Sequence, residues 1–249
     1  PRDAGNIRNI SDMSYIKDTI GKLHNELPPD VTLVAVSKFH PAEAVMEAYS
    51  AGQRVFGESR PQELSSKVKT LAEKASEAGN PALYSDIRWH FIGHLQTNKL
   101  KMVLPYVSMV ESVDSLHLLE AIDRWGGEHG RTVDVLLEYH IASEDTKQGF
   151  DADGIREILF SGHGYRNVNI RGLMGMATFT DDEQVIRADF SRLVSLRDSL
   201  IPEAGKHPDL HVSFGLLSFG MTHDYKIAVS MGADIVRIGT LIFGERDYR

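Results

Sequence analysis

Three groups of residues have types and spacing suited to chemistry. Lys38 closes the apolar run Thr32-Leu33-Val34-Ala35-Val36-Ser37-Lys38. Burial at the end of such a strand lowers an amine's pKa and supplies the neutral nucleophile that Schiff-base chemistry needs. The competing reading is an ion pair between Lys38 and a nearby carboxylate such as Glu58. The second group comprises two segments, Leu217-Ser218-Phe219-Gly220-Met221-Thr222-His223-Asp224 and Val236-Arg237-Ile238-Gly239-Thr240-Leu241-Ile242-Phe243-Gly244. Their glycines allow backbone to approach an anion, and Ser218, Thr222 and Thr240 offer hydroxyls. Exposed N–H groups at helix starts add attraction for negative charge. The third is Arg237, flanked by Ile235, Val236 and Ile238. A guanidinium in that setting needs acceptors. These are either a structural partner among Glu111, Glu138 and Asp234 or a ring nitrogen of a bound cofactor.

The elements that must position these residues alternate regularly. Strand-like runs cover Thr32–Ser37, Arg54–Gly57, Arg88–Gly93, Val107–Val113, Val133–His140, Ile170–Ala177, His211–Gly215 and Ile235–Ile238. Most are apolar throughout, as parallel strands buried on both faces are. Helical patterns lie between them at Pro41–Ala51, Gln62–Ala78, Ser115–Trp125, Asp153–Phe160, Asp182–Leu200 and Asp224–Met231, with a further helix at Tyr15–Glu26 before the first strand. This order predicts an α/β fold: one (β/α)8 TIM-type barrel over residues 1–249 with an extra N-terminal helix. A doubly wound open sheet is the alternative, and no Gly-x-Gly-x-x-Gly follows the first strand to support its dinucleotide-binding form. In a barrel, active sites lie at the C-terminal strand ends, and the loops after strands seven and eight often hold phosphate. Lys38, the two loops and Arg237 fall at those places. An amine, a phosphate cradle and a ring partner together describe a pyridoxal 5'-phosphate site.

Composition excludes several classes. The 249 residues contain no cysteine, which removes thiol catalysis, disulfides and thiolate zinc sites. A net charge of −8 argues against nucleic-acid binding. No apolar stretch is long enough to span a bilayer. The first residues, Pro1-Arg2-Asp3-Ala4-Gly5, form no secretory apolar core, so the expectation is a cytoplasmic soluble protein. A monomer is the favoured expectation, although outer helices of barrels look alike in monomers and dimers.

Other candidates have strong competing readings. Lys17, Lys22, Lys67, Lys69 and Lys74 fall on polar faces of helical patterns and read as solvated charges. His90 and His94 read as hydrogen-bonded core or mouth histidines, and Met174 and Met176 as barrel packing or ligand flanks. Glu58 reads as a base or as the partner of a neighbouring cation. Ser218 lacks the Gly-x-Ser-x-Gly elbow of a hydrolase nucleophile. No His/Asp/Glu group has metal-ligand spacing.

Taken in order, these motifs resemble the pyridoxal-phosphate homeostasis protein family (YggS-like, or proline-synthetase co-transcribed homologues). The resemblance runs from Leu33–Lys38 through Phe56-Gly57-Glu58 and Trp89–Lys99. It continues in Lys147-Gln148-Gly149, Arg171–Met174 and Phe219–Asp224, and ends in Val236–Arg246. It implies a barrel like the N-terminal domain of alanine racemase, a fold type III pyridoxal-phosphate protein. It also implies the cofactor on Lys38, Arg237 facing the pyridine nitrogen, and Ser218, Thr222, Gly239 and Thr240 around the phosphate. His90, Met174 and Ser59 complete the cofactor-contact set. Many members read Gly-Glu-Asn-Tyr where this chain has Gly57-Glu58-Ser59-Arg60, so Ser59 ranks below the phosphate loops.

The implied role is vitamin B6 homeostasis, with the cofactor carried or buffered on Lys38. The alternative is an amino-acid racemase of the alanine racemase type. Arginine at the pyridine nitrogen leaves that nitrogen unprotonated, unlike the electron sink of transaminases. Racemisation also needs an acid/base that alanine racemase takes from a second domain, and the sequence ends at Arg249, just after the eighth strand. The expectation is therefore a carrier without robust turnover, whose partners are the cofactor, free amino acids or acceptor apoenzymes.

Overall fold

A computed structural model of the chain describes residues 10–142, 148–161, 164–206 and 214–245. Helix α1 (Ile10–Glu26) precedes strand β1 (Thr32–Val36), and the chain then alternates through α2 (Ala42–Ser50), β2 (Val55–Glu58), α3 (Pro61–Glu77) and β3 (Arg88–Phe91). A single 3-10 turn, Thr97–Lys99, leads into α4 (Leu100–Val103), β4 (Val107–Val113), α5 (Leu116–His129), β5 (Val133–Glu138) and α6 (Ala152–Phe160). The series ends with β6 (Val168–Met174), α7 (Glu183–Ala204), β7 (Leu216–Ser218), α8 (Tyr225–Ser230), β8 (Ile235–Ile238) and α9 (Thr240–Phe243). The strands are parallel and close in the order β1 to β8, with β1 pairing β8. The fold is the expected TIM-type barrel.

Local chemistry sets the helix starts. The side chains of Ser115, Asp151 and Asp182 accept from the N–H groups of Leu118, Gly154 and Gln184, capping α5, α6 and α7. Gly130, at φ 60°, ends α5 in the left-handed conformation that glycine adopts without strain. Alternation along the strands separates two apolar layers. Leu33, Ala35 and Phe56 belong to the large core between barrel and helices. Val34, Val36, Val55, Met109, Leu136, Met174 and Ile235 pack together as the inner core. By the same alternation, Lys38, Glu138 and Met176 continue the inward-facing rows at the C-terminal mouth.

Two expectations need correction. The seventh strand is Leu216–Ser218, not His211–Gly215; residues 211–213 lie outside the described residues, and Phe214 and Gly215 precede the strand. Lys67 is not a solvated charge but only 6% exposed. It lies three residues after Leu64 and four before Leu71, on the face of α3 that packs against the barrel. Lys147, His163, His207 and Arg246 lie outside the described residues.

Candidate functional site

A cavity of about 340 Å³ opens at the C-terminal mouth, and its walls include Lys38, Thr222, Arg237, Gly239 and Thr240. Five of the nine residues singled out for cofactor contact thus meet in one space, in the size range of small-molecule sites. Val36, Ile92, Met176 and Met221 supply apolar wall. The two glycine-containing loops are joined directly, since the Leu241 N–H donates to Thr222 Oγ1 at 3.4 Å. Gly239 lies against β1: a Cβ there would sit 3.2 Å from the Val36 carbonyl oxygen.

Gly220 holds the loop after β7 in place. Its φ is +98°, and an added Cβ would come within 2.5 Å of the Ala228 Cβ. Its carbonyl also accepts from the Arg237 N–H at 2.9 Å. Gly220→Ala is expected to lower stability by more than about 1 kcal/mol, because the strained φ and the clash act together. A fall in the thermal unfolding midpoint would register it; an unchanged midpoint would show that the loop is not held this way.

Beneath the cavity lies a polar layer built from β3, β4, β7 and β8. Glu111, fully buried, shares a hydrogen bond with His90 Nδ1 through Oε1 and accepts from the Ser218 hydroxyl through Oε2. Arg237 Nη1 donates to Ser218 Oγ and lies 3.7 Å from Glu111 Oε2, while Nη2 donates to the Gly175 carbonyl at 3.0 Å. Burial alone would push the Glu111 carboxyl upward, but His90, Arg237 and Ser218 outweigh it and hold the carboxyl below its ordinary range. Burial lowers Arg237, and Glu111, Glu138 and Asp224 oppose that.

This layer locates the remaining sequence candidates. Ser218 and His90 are engaged with Glu111 and are buried below the cavity rather than lining it. Met174 belongs to the inner core, and Met176 stands at the cavity wall. Ser59 is half-buried behind Gly93, where a Cβ would meet its backbone at 2.3 Å. Glu111 is the centre of the layer, whereas sequence reasoning raises it only as a possible partner for Arg237.

The turn that carries Lys38 is gripped from outside by α3. Lys67 Nζ donates to the Ser37 carbonyl at 2.7 Å and to Glu58 Oε1, and the Ser37 hydroxyl donates to Glu58 Oε1 at 2.6 Å. The Glu63 carboxylate accepts from the Phe39 N–H at 2.8 Å, and the Arg60 guanidinium lies 4.2 Å from the Phe39 ring centre. Phe39 itself has φ +66°, a conformation rare for a non-glycine residue and kept only where surrounding structure enforces it. Glu58 therefore serves Lys67 on the outer side of the strand, in keeping with its reading as a cation's partner. A larger cleft of about 1080 Å³ lies on this outer side, between α1, α2 and α3, with Tyr15, Glu43 and Glu63 among its walls. Ser218, Thr222 and Thr240 are not among its walls, so the mouth is the candidate site.

A closed parallel barrel with a lysine at the end of its first strand and glycine–hydroxyl loops after the last two defines the class of alanine-racemase-type barrels. The family model described as alanine racemase, N-terminal domain, matches residues 11–247. The chain belongs to the pyridoxal phosphate homeostasis protein family. A protein of that name from Aquifex aeolicus is 36% identical over 87% of each chain. One from Mus musculus is 38% identical, covering 94% of this chain and 84% of the relative. Among solved structures, an unknown protein from Bifidobacterium adolescentis superposes with a TM-score of 0.83 at 33% identity, over 96% of this chain and 99% of the other. PipY of Synechococcus elongatus, solved with pyridoxal phosphate bound, gives 0.78 at 35% identity, over 92% and 100%. Alanine racemase from E. faecalis gives 0.69 at 15% identity over 58% of its length, a likeness of fold alone.

Proposed function

We propose that this chain binds pyridoxal 5'-phosphate at the barrel mouth through Lys38 and serves vitamin B6 homeostasis by holding the cofactor. The observation that carries the reading is the convergence of Lys38, Thr222, Arg237, Gly239 and Thr240 on one cavity of about 340 Å³. The donor set fits the group: an amine for its aldehyde, hydroxyls and closely packed backbone for its phosphate, and a guanidinium near its ring. Supporting it, relatives sharing more than a third of their residues carry the homeostasis name, and PipY holds pyridoxal phosphate. When bound, the cofactor supplies a carbonyl that condenses reversibly with amines.

The residues of the chain divide the work. Lys38 provides the attacking amine, and the α3 grip on Ser37 and Phe39 fixes where that amine stands. Thr222, Gly239 and Thr240 would hold the phosphate, while Ile92, Met176 and Met221 would supply apolar wall that excludes water. Arg237, anchored by Ser218 and the Gly175 carbonyl, would offer a permanent donor to the ring nitrogen. Ser218 and His90 act at one remove, through Glu111 and Arg237. The similarity to alanine racemases reaches only the fold, so a racemase reading gains nothing from it. No helix among the described residues is long and apolar enough to cross a membrane. A cytoplasmic monomer that passes cofactor to amino acids or acceptor apoenzymes completes the proposal.

Incubating the protein with pyridoxal phosphate, removing the excess and recording the visible spectrum tests the reading. Wild type is expected to keep a band that borohydride shifts, and Lys38→Ala to lose it. A band retained in Lys38→Ala would overturn the assignment.

A further inference from the structure

Beside the mouth lies a second, smaller pocket of about 180 Å³, with Glu138, Tyr139, Gln148, Met176, Phe179 and Met221 among its walls. It shares Met176, Phe179 and Met221 with the Lys38 cavity. Glu138 is the last residue of β5, two positions after Leu136 of the inner core, so its side chain faces into the barrel mouth. Only 8% of the residue is exposed, and the cation it feels most among the described residues, Arg237, already donates to Ser218 and to the Gly175 carbonyl. Its main chain, by contrast, is fixed. The Phe150 N–H donates to the Glu138 carbonyl at 2.8 Å, and Gly149, at φ +98°, passes so close that a Cβ would lie 2.9 Å from that oxygen. A rigid scaffold thus presents a buried carboxylate to a small cavity, and no lysine, arginine or second carboxylate is among the described walls.

A carboxylate in such a place needs a partner. Burial first, and Asp114 next, push its carboxyl above the ordinary range, with Arg237 and His94 acting the other way. A ligand that brings a compact cation with several N–H donors would meet the deficit. The apolar walls Ile141, Met176, Phe179 and Met221 suit a short aliphatic body on that cation.

We propose that this pocket is a binding subsite for a small primary ammonium ion, an aliphatic amine or the amino group of an α-amino acid, with Glu138 as its acceptor. It rests on the reading of the neighbouring cavity as the cofactor site, since it places an amine next to Lys38. The subsite itself exists without the cofactor and can be tested in its absence.

The test titrates butylammonium chloride, L-alanine and sodium acetate into full-length Lys38→Ala protein, which offers no amine for cofactor attachment, and follows binding by nuclear magnetic resonance. Saturable butylammonium binding is expected, weakened about tenfold or more by Glu138→Gln and largely restored by Glu138→Asp. Acetate should not compete. L-alanine binding as tight as butylammonium would extend the ligand class to amino acids; weaker binding would confine it to amines. Should Glu138→Gln fail to fold, Ala142→Phe narrows the pocket and must weaken binding similarly. Absent binding, or binding equally tight with and without the Glu138→Gln substitution, overturns the subsite. Loss of the cofactor band from protein with Lys38 intact would instead overturn the cofactor reading and leave this result standing.

Discussion

Replacing Lys67 with methionine is expected to destabilise the fold by about 3–5 kcal/mol, because it strands a buried carboxylate. Glu58 is fully buried, and its Oε1 is held by Lys67 and by the Ser37 hydroxyl. Oε2 has no hydrogen-bond partner among the described residues, so loss of Lys67 leaves the charge served by one neutral donor. Burial already pushes the Glu58 carboxyl upward despite Lys67. A carboxyl raised on folding binds more protons in the native state, so its contribution improves as pH falls through the raised folded value. The Lys67→Met protein should therefore recover part of its lost stability on mild acidification. The double variant Lys67→Met/Glu58→Leu should recover most of it at neutral pH, since an apolar replacement of a buried pair is often neutral. Urea unfolding of the three proteins measures this. A single variant as stable as wild type would mean that the pair does not hold the Lys38 turn.

Glu111→Leu is expected to cost a similar amount, about 3–5 kcal/mol, by leaving Arg237 buried without its ion-pair partner among the described residues. Arg237 is 4% exposed and would retain its hydrogen bonds to Ser218 and the Gly175 carbonyl and the charges of Glu138 and Asp224. The sign of the pH effect is opposite to that of Glu58. Burial raises the Glu111 carboxyl, yet His90, Arg237 and Ser218 bring the net below the ordinary range. A carboxyl lowered on folding adds stability above its unfolded value of about 4.3, and that stability disappears as pH falls through the lower folded value. Wild type should lose this increment in acid, and Glu111→Leu should show a flatter acid limb. Denaturant midpoints recorded across that range measure it. Parallel acid limbs would contradict the assignment.

The barrel and much of its mouth could be read from residue order because both follow short-range rules. Apolar strands alternating with amphipathic helices specify the closed parallel sheet, and β4 and β8 appear where their runs of Val and Ile place them. Lys38, Thr222, Gly239 and Thr240 sit just beyond strand ends, where position alone directs them to the mouth. The three-residue β7 falls later than expected because Leu217-Ser218 reads as the start of a glycine-containing loop. Depth is harder to read than position. Ser218, His90 and Met174 lie on inward-facing rows, but one layer below the cavity, and layer depth depends on strand stagger around the barrel. Lys67 and Glu58 come from different elements and pair on the outer face of the strand. The spacing of Lys67 from Leu64 and Leu71 is the signal that marks it as inward-facing. The period-two rule for strands likewise draws attention to Glu111, two residues beyond Met109 on the inner row of β4.

Glu138 joins the two proposals, since its pocket shares a wall with the Lys38 cavity. An amine seated there would lie beside the position where Lys38 is proposed to hold the cofactor. That arrangement suits exchange of cofactor with amines better than retention alone.

Lys38 is the proposed attachment point. Borohydride reduction of the cofactor-loaded protein, followed by proteolysis and mass spectrometry of the peptides, tests it most directly. The predicted result is a single phosphopyridoxyl addition, on the peptide containing Lys38 and on its side-chain nitrogen. An addition on Lys67 or on surface lysines such as Lys69 and Lys74, with Lys38 unmodified, would contradict it.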